Sequence, residues 1–84
     1  MTDLIYKKFL NVFSNNELKY LIGKSDIVSD NLICINTDKY LFEISVIKIY
    51  AIENSGESQE ISKNKLFDIL KEEPTLSLNK ININ

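Results

Sequence analysis

The sequence predicts a small α+β domain, with helices packed on a mainly antiparallel sheet, and three observations lead there. From Asn31 to Glu53, fourteen of 23 residues are apolar and none is Gly or Pro, the composition of a sheet core. Apolar residues at helical spacing precede that stretch and follow it, and a capping box marks one more helix before it. The length, 84 residues at 44% hydrophobic and 26% charged, suits one domain over residues 1–84 with its own core. The expected element order is α-α-β-β-(β)-α-β.

The first helix is expected from about Asp3 to Phe13, capped by Thr2 or Asp3. Its stripe is Ile5, Phe9, Val12 and Phe13, with Lys7, Lys8 and Asn11 on the other side. Ser14-Asn15-Asn16-Glu17 then reads as a capping box, flanked by Phe13 and Leu18 as a hydrophobic staple. A short second helix follows from about Asn15 to Ile22, with Gly23 as a left-handed C-cap. The polar residues from Lys24 to Asp30 read as a bend.

Asn36-Thr37-Asp38-Lys39 is the first turn signal in the sheet. Closing a hairpin there makes paired residue numbers sum to 75, so that Ile35 faces Tyr40 and Ile33 faces Phe42. Ile33, Ile35, Tyr40, Phe42 and Ile44 then share the core face, with Leu32 and Glu43 on the other. Tyr40 to Glu53 carries no turn signal over fourteen residues, which predicts a long strand bent or bulged near Ser45-Val46. Its apolar excess at Ile47, Ile49 and Ala51 must be covered by a helix, the C-terminal strand or another chain. Asn54-Ser55-Gly56-Glu57 is a second turn, leading to a short strand from Ser58 to Ile61.

Ser62 caps a third helix, Lys63 to about Glu72, with the stripe Leu66, Phe67, Ile69 and Leu70. Pro74 ends it. Leu76, Leu78, Ile81 and Ile83 predict a closing strand. The third helix is charged against its own dipole, with Lys63 and Lys65 at its start and Glu72 and Glu73 at its end.

The chemistry is defined by what is missing. There is no His, hence neither the commonest general base near neutral pH nor the commonest zinc ligand. There is no Arg, hence no planar fork for phosphates or guanine edges. Ile, Asn and Lys together make up 33 of the 84 residues, and their A/T-rich codons are a simpler reason for the missing Arg. All ten cations are Lys and acids outnumber them by two, which gives a net charge of −2 and no basic face for nucleic acid. A helix-turn-helix reader would have only Asn15, Asn16 and Lys19 to offer, with Glu17 repelling phosphate.

Cys34 lies between Ile33 and Ile35 with no His to activate it, so it reads as an inert core thiol. Asp26 and Asp30 lack the Gly-turned acidic loop of a calcium site. With only Gly23 and Gly56, there is no phosphate-binding loop. No enzyme activity, cofactor or metal is expected. One cysteine and an N-terminus carrying Asp3, Lys7 and Lys8 fit a cytoplasmic protein without a signal peptide. No apolar run approaches the ~20 residues of a membrane span, and no membrane partner is expected.

What remains is binding. Glu53, Glu57 and Glu60 form a run without Lys beside Tyr50 and around the second turn, an acidic and aromatic-edged protrusion suited to a protein partner with a basic face. A short, mildly acidic α/β chain without catalytic equipment resembles, in type only, small immunity proteins of bacterial toxins and phage inhibitors of host defence. No motif identifies a family. The expected function is a non-enzymatic module that masks a partner's surface, with Tyr50, Glu53, Glu57 and Glu60 as its contact residues. The alternative is a homo-oligomeric or accessory subunit, a homodimer for example, paired through an exposed edge of the long strand.

Overall fold

A computed structural model describes residues 7–29 and 31–73 of the chain. Among these, the fold is α+β, with five antiparallel strands in the order β1-β2-β3-β4-β5 and helices on one face. The strands are β1 (Ile27–Val28), β2 (Ile33–Asn36), β3 (Tyr40–Ile44), β4 (Ile49–Glu53) and β5 (Ser58–Glu60). Two ten-residue helices, α1 (Asn15–Lys24) and α2 (Lys63–Glu72), join helical residues 7–9 to form the second layer.

The start of the first predicted helix lies outside the described residues. The described part stops earlier than Phe13: residues 7–9 are helical and residues 10–12 turn, with the Val12 and Phe13 amides both donating to the Phe9 carbonyl. Its inward stripe is as expected, with Phe9 and Phe13 buried.

The capping box at α1 is complete. The Glu17 amide donates to Ser14 Oγ at 3.2 Å and the Ser14 amide to Glu17 Oε1 at 2.9 Å. The helix runs through Gly23 to Lys24 and ends on Ser25 in an extended conformation, so the expected left-handed cap at Gly23 does not form. Ser25 does the capping instead, its amide and its hydroxyl both donating to the Ile22 carbonyl.

Glu17 also couples the helical layer to pH through its lowered pKa. The Ser14 amide holds its carboxyl below the ordinary value against the opposing effect of burial, and the neighbouring Lys63 ammonium adds to the lowering. A depressed folded-state pKa contributes stability above the unfolded value, near 4.5, and loses it as pH falls through the folded value. Urea midpoints measured from pH 6 down to pH 3 should therefore fall more steeply for the native chain than for Glu17→Gln. Parallel curves would remove Glu17 from the acid response.

The first sheet hairpin forms one step further along than its turn signal suggested. Ile33 pairs with Ile44, Cys34 with Glu43, Ile35 with Phe42 and Asn36 with Leu41. The paired numbers thus sum to 77 instead of 75. Thr37 and Tyr40 close the turn, the Thr37 amide donating to the Tyr40 carbonyl and the Tyr40 amide to Thr37 Oγ1. A slip of two leaves every side chain on its expected face. Ile33, Ile35, Phe42 and Ile44 are fully buried, joined from β4 by Ile49 and Ala51.

The long bent strand is not there. Tyr40–Glu53 is two strands joined by a tight turn in which the Ser45 amide donates to the Lys48 carbonyl. The apolar excess divides accordingly: Ile49 and Ala51 face the core, while Ile47 sits at the turn, 83% exposed. β3 and β4 are interior strands, so the long exposed edge imagined for self-pairing is absent. Among the described residues the edges are β1, which lies in the stretch read as a bend, and β5, whose three residues are all exposed.

Both hairpin turns form without a left-handed residue, since no described non-glycine has a positive φ. A hydroxyl side chain takes the place of Asn-Gly chemistry. Ser45 Oγ donates to the Lys48 carbonyl and accepts from the amides of Ile47 and Lys48. Ser29 closes the β1–β2 turn in the same way, its amide and hydroxyl both donating to the Leu32 carbonyl. Only the β4–β5 turn uses glycine, with Gly56 at φ 100°.

α2 matches its predicted bounds, capped by the Ser62 hydroxyl on the Lys65 amide. Lys63, misplaced for the helix dipole, is compensated inside the fold. Its ammonium donates to the Val12 carbonyl and to Glu17 Oε1, each at 3.2 Å, and lies 5.7 Å from the centre of the Phe13 ring. The closing strand expected from Leu76 to Ile83 lies outside the described residues.

Candidate functional site

Alternation along the strands gives the sheet two faces. The core face, with Ile33, Ile35, Phe42, Ile44, Ile49 and Ala51, packs against Phe9, Phe13, Leu18, Leu21, Leu66 and Leu70 from the helical layer. The opposite face contributes nothing to that cluster. Cross-strand pairing lines up a row on it: Ile27, Cys34, Glu43, Tyr50 and Glu60. A second row is Asn36, Leu41, Ile52 and Ser58.

Tyr50 is the centre of this outer face. It is half-buried, with Glu43 beside it on β3 and Glu60 beside it on β5. Leu41 and Ile52, also half-buried, form the neighbouring row. An aromatic ring set among aliphatic side chains and flanked by two carboxylates provides contact area together with negative charge.

The four residues named from the sequence therefore do not form one patch. Tyr50 and Glu60 are cross-strand partners on the outer face. Glu53 pairs with Tyr40 and closes the last hairpin by donating its amide to the Glu57 carbonyl, and by alternation both glutamates belong to the opposite face. Glu43 was missed. Its signal was present in the alternation of Leu41, Glu43 and Ser45, but its place beside Tyr50 needs the turn at Ser45 to be known.

Cys34 lies in the same row and is buried. Burial first, then the negative charges of Glu43 and Asp26, push its thiol up from the ordinary value. It is thus held as a neutral thiol, the opposite of an activated nucleophile. Asp26 is tied by one oxygen to the Asn36 amide nitrogen at 2.6 Å, which fastens the end of α1 to β2. Among the described residues, no three His, Cys, Asp or Glu side chains converge in a way that could hold a metal ion. No described helix is long and apolar enough to cross a membrane.

Two open clefts flank the sheet ends. One, of about 280 Å³, is lined by Lys39, Tyr40, Glu53, Asn54 and Ser55. The other, of about 230 Å³, lies beneath the Ser45–Ile49 turn, with Val12 and residues 60–63 opposite. A third hollow between the helices is floored by Tyr20 and Phe67, whose rings stand 5.8 Å apart. Comparison with family models, with curated proteins and with solved structures finds no match for this chain.

Proposed function

We propose that the protein is a small non-enzymatic binding module that masks the surface of a protein partner, as an inhibitor or an immunity or anti-defence protein carried by a phage or mobile element does. The observation that supports it is the outer sheet face, where Tyr50 stands between Glu43 and Glu60 beside Leu41 and Ile52. A sheet face with an apolar centre and acidic flanks suits a partner whose own working surface is basic. The reading has the protein act in the cytoplasm by occupation alone, with no cofactor.

The test uses affinity capture from the source cell, followed by titration of the captured and purified partner. Tyr50→Ala should weaken binding by about tenfold to a thousandfold, as an aromatic hot spot does. Reversing Glu43 and Glu60 to Lys should weaken it comparably and abolish its salt dependence. Reversing Glu53 and Glu57, which belong to the other face, should change it little. Equal loss from both double reversals would point to overall charge, and unaltered affinity in the first would exclude the outer face.

A further inference from the structure

We propose that the Ser45–Lys48 end of the sheet docks onto an anionic lipid surface, with the Val46–Ile47 tip set into the boundary between headgroups and acyl chains and lysines around it on the headgroups. The expectation of no membrane partner rested on the lack of a spanning run, and docking by a turn needs none. The inference stands apart from the masking role, because it uses one end of the sheet and leaves the Tyr50 face free.

The tip is the least expected local feature of the chain. Two-residue hairpin loops favour Asn, Asp and Gly. This one places two β-branched aliphatics at its apex, with Val46 37% and Ile47 83% exposed. Val28, likewise exposed, stands at the same end: it pairs with Ile33, and Ile33 with Ile44, the residue before the turn. The amides of Ile47 and Lys48 both donate to Ser45 Oγ, and the Lys48 carbonyl accepts from the Ser45 amide and hydroxyl. These groups keep their partners when the tip leaves water, which removes much of the cost of setting a turn into lipid.

Charge is separated along the strands, and the tip stands at the positive end. Lys48 follows it directly and is exposed. Lys8 donates to Asn31 Oδ1 at 2.9 Å, which places it beside the adjoining β1–β2 turn. Ser62 and Lys63 face the tip across the cleft of about 230 Å³, so the first turn of α2, with exposed Lys65, lies at the same end. The described acids there are Glu17, engaged by Lys63, and Glu60.

The acids gather at the other end. Asn54 donates to the Asp38 carbonyl at 2.9 Å and joins the two far turns, which carry Asp38, Glu53 and Glu57. The Lys39–Glu73 pair at 3.7 Å brings the close of α2 there, with Glu72, against only Lys39 and Lys71. The charges of α2 that oppose its own dipole thus extend the polarity of the whole fold, and that is a gain when one pole meets an anionic surface. Lipid fits the tip better than a protein does. Its cations are all Lys, which protein contacts disfavour, and attraction to a headgroup layer asks for no fixed partner geometry.

The chain contains no Trp, so a single introduced indole reports on its own surroundings. Ile47→Trp fluorescence should shift to the blue on vesicles of phosphatidylglycerol and phosphatidylcholine, and much less on phosphatidylcholine alone. Ser55→Trp, in the exposed β4–β5 turn at the other end, should shift on neither. Co-sedimentation of the native chain with the mixed vesicles should weaken as salt is added, and by about tenfold with either Lys48→Glu or Ile47→Ser. Both substitutions alter exposed side chains and should leave the melting temperature in place. A native chain that does not bind the mixed vesicles overturns the proposal, as does binding that neither substitution weakens. Equal shifts on the two lipids, or equal shifts of Ile47→Trp and Ser55→Trp, overturn it as well. So does an Ile47→Trp shift that polyglutamate produces equally, which would assign this end to an acidic protein.

Discussion

Phe42→Ala should destabilise the protein by about 3–5 kcal/mol, the cost of deleting a fully buried aromatic side chain and leaving a cavity. A chain of 84 residues has a total stability of only about 4–13 kcal/mol at 0.05–0.15 kcal/mol per residue. Phe42 occupies the middle strand of the sheet, between Ile35 on one side and Ala51 on the other, and is 0% exposed. Its small neighbour Ala51 leaves the ring room and cannot expand to fill the gap. Urea unfolding followed by circular dichroism reads the loss as a fall in midpoint at similar slope. A change below about 1 kcal/mol would mean that the sheet core is not organised around this ring.

Phe13→Ala ranks second, at about 3–4 kcal/mol. Its ring is 6.3 Å from Phe9 and meets Phe67 edge-on at 6.2 Å and 75°, with the Lys63 ammonium above it. One side chain thus joins the N-terminal helical turn, α2 and the entry to α1. Phe13→Leu should recover most of the hydrophobic part and none of the edge-on geometry. A double-mutant cycle with Phe67→Ala isolates that geometry, expected at about 0.5–1.5 kcal/mol. Strict additivity would show that the two rings contribute only as buried area.

The proposed contact surface was partly legible in the residues. Tyr50 and Glu60 are separated by ten positions, yet the turn chemistry at Asn54 to Glu57 is strong enough to make them neighbours on paper. Glu53 and Glu57 were grouped with them because proximity along a chain ignores the alternation of faces. Ile47 was legible as apolar, and among the described residues nothing covers it: it is 83% exposed. Its actual place follows from the Ser45 turn, whose regularity shows only once the hairpins are known: Ser29, Thr37 and Ser45 stand eight residues apart and each opens one. A regular spacing of turns at about 8–12 residues marks an antiparallel meander, even without Gly or Asn.

By itself the sequence determined the class of fold, the bounds of α2, the capping box of α1 and the set of residues on the core face. These depend on contacts within a few positions, or on a period of two that survives a shift of register by two. Tertiary structure alone decided the register, the break at Ser45, the presence of β1 and the interior place of β3 and β4. The reason is physical. A serine hydroxyl can close a turn as well as a left-handed glycine can, but only when the two strands it joins each find a neighbour to pair with. Lys63 shows the same dependence on distant partners, since its charge opposes its own helix and is matched by Glu17, forty-six positions away.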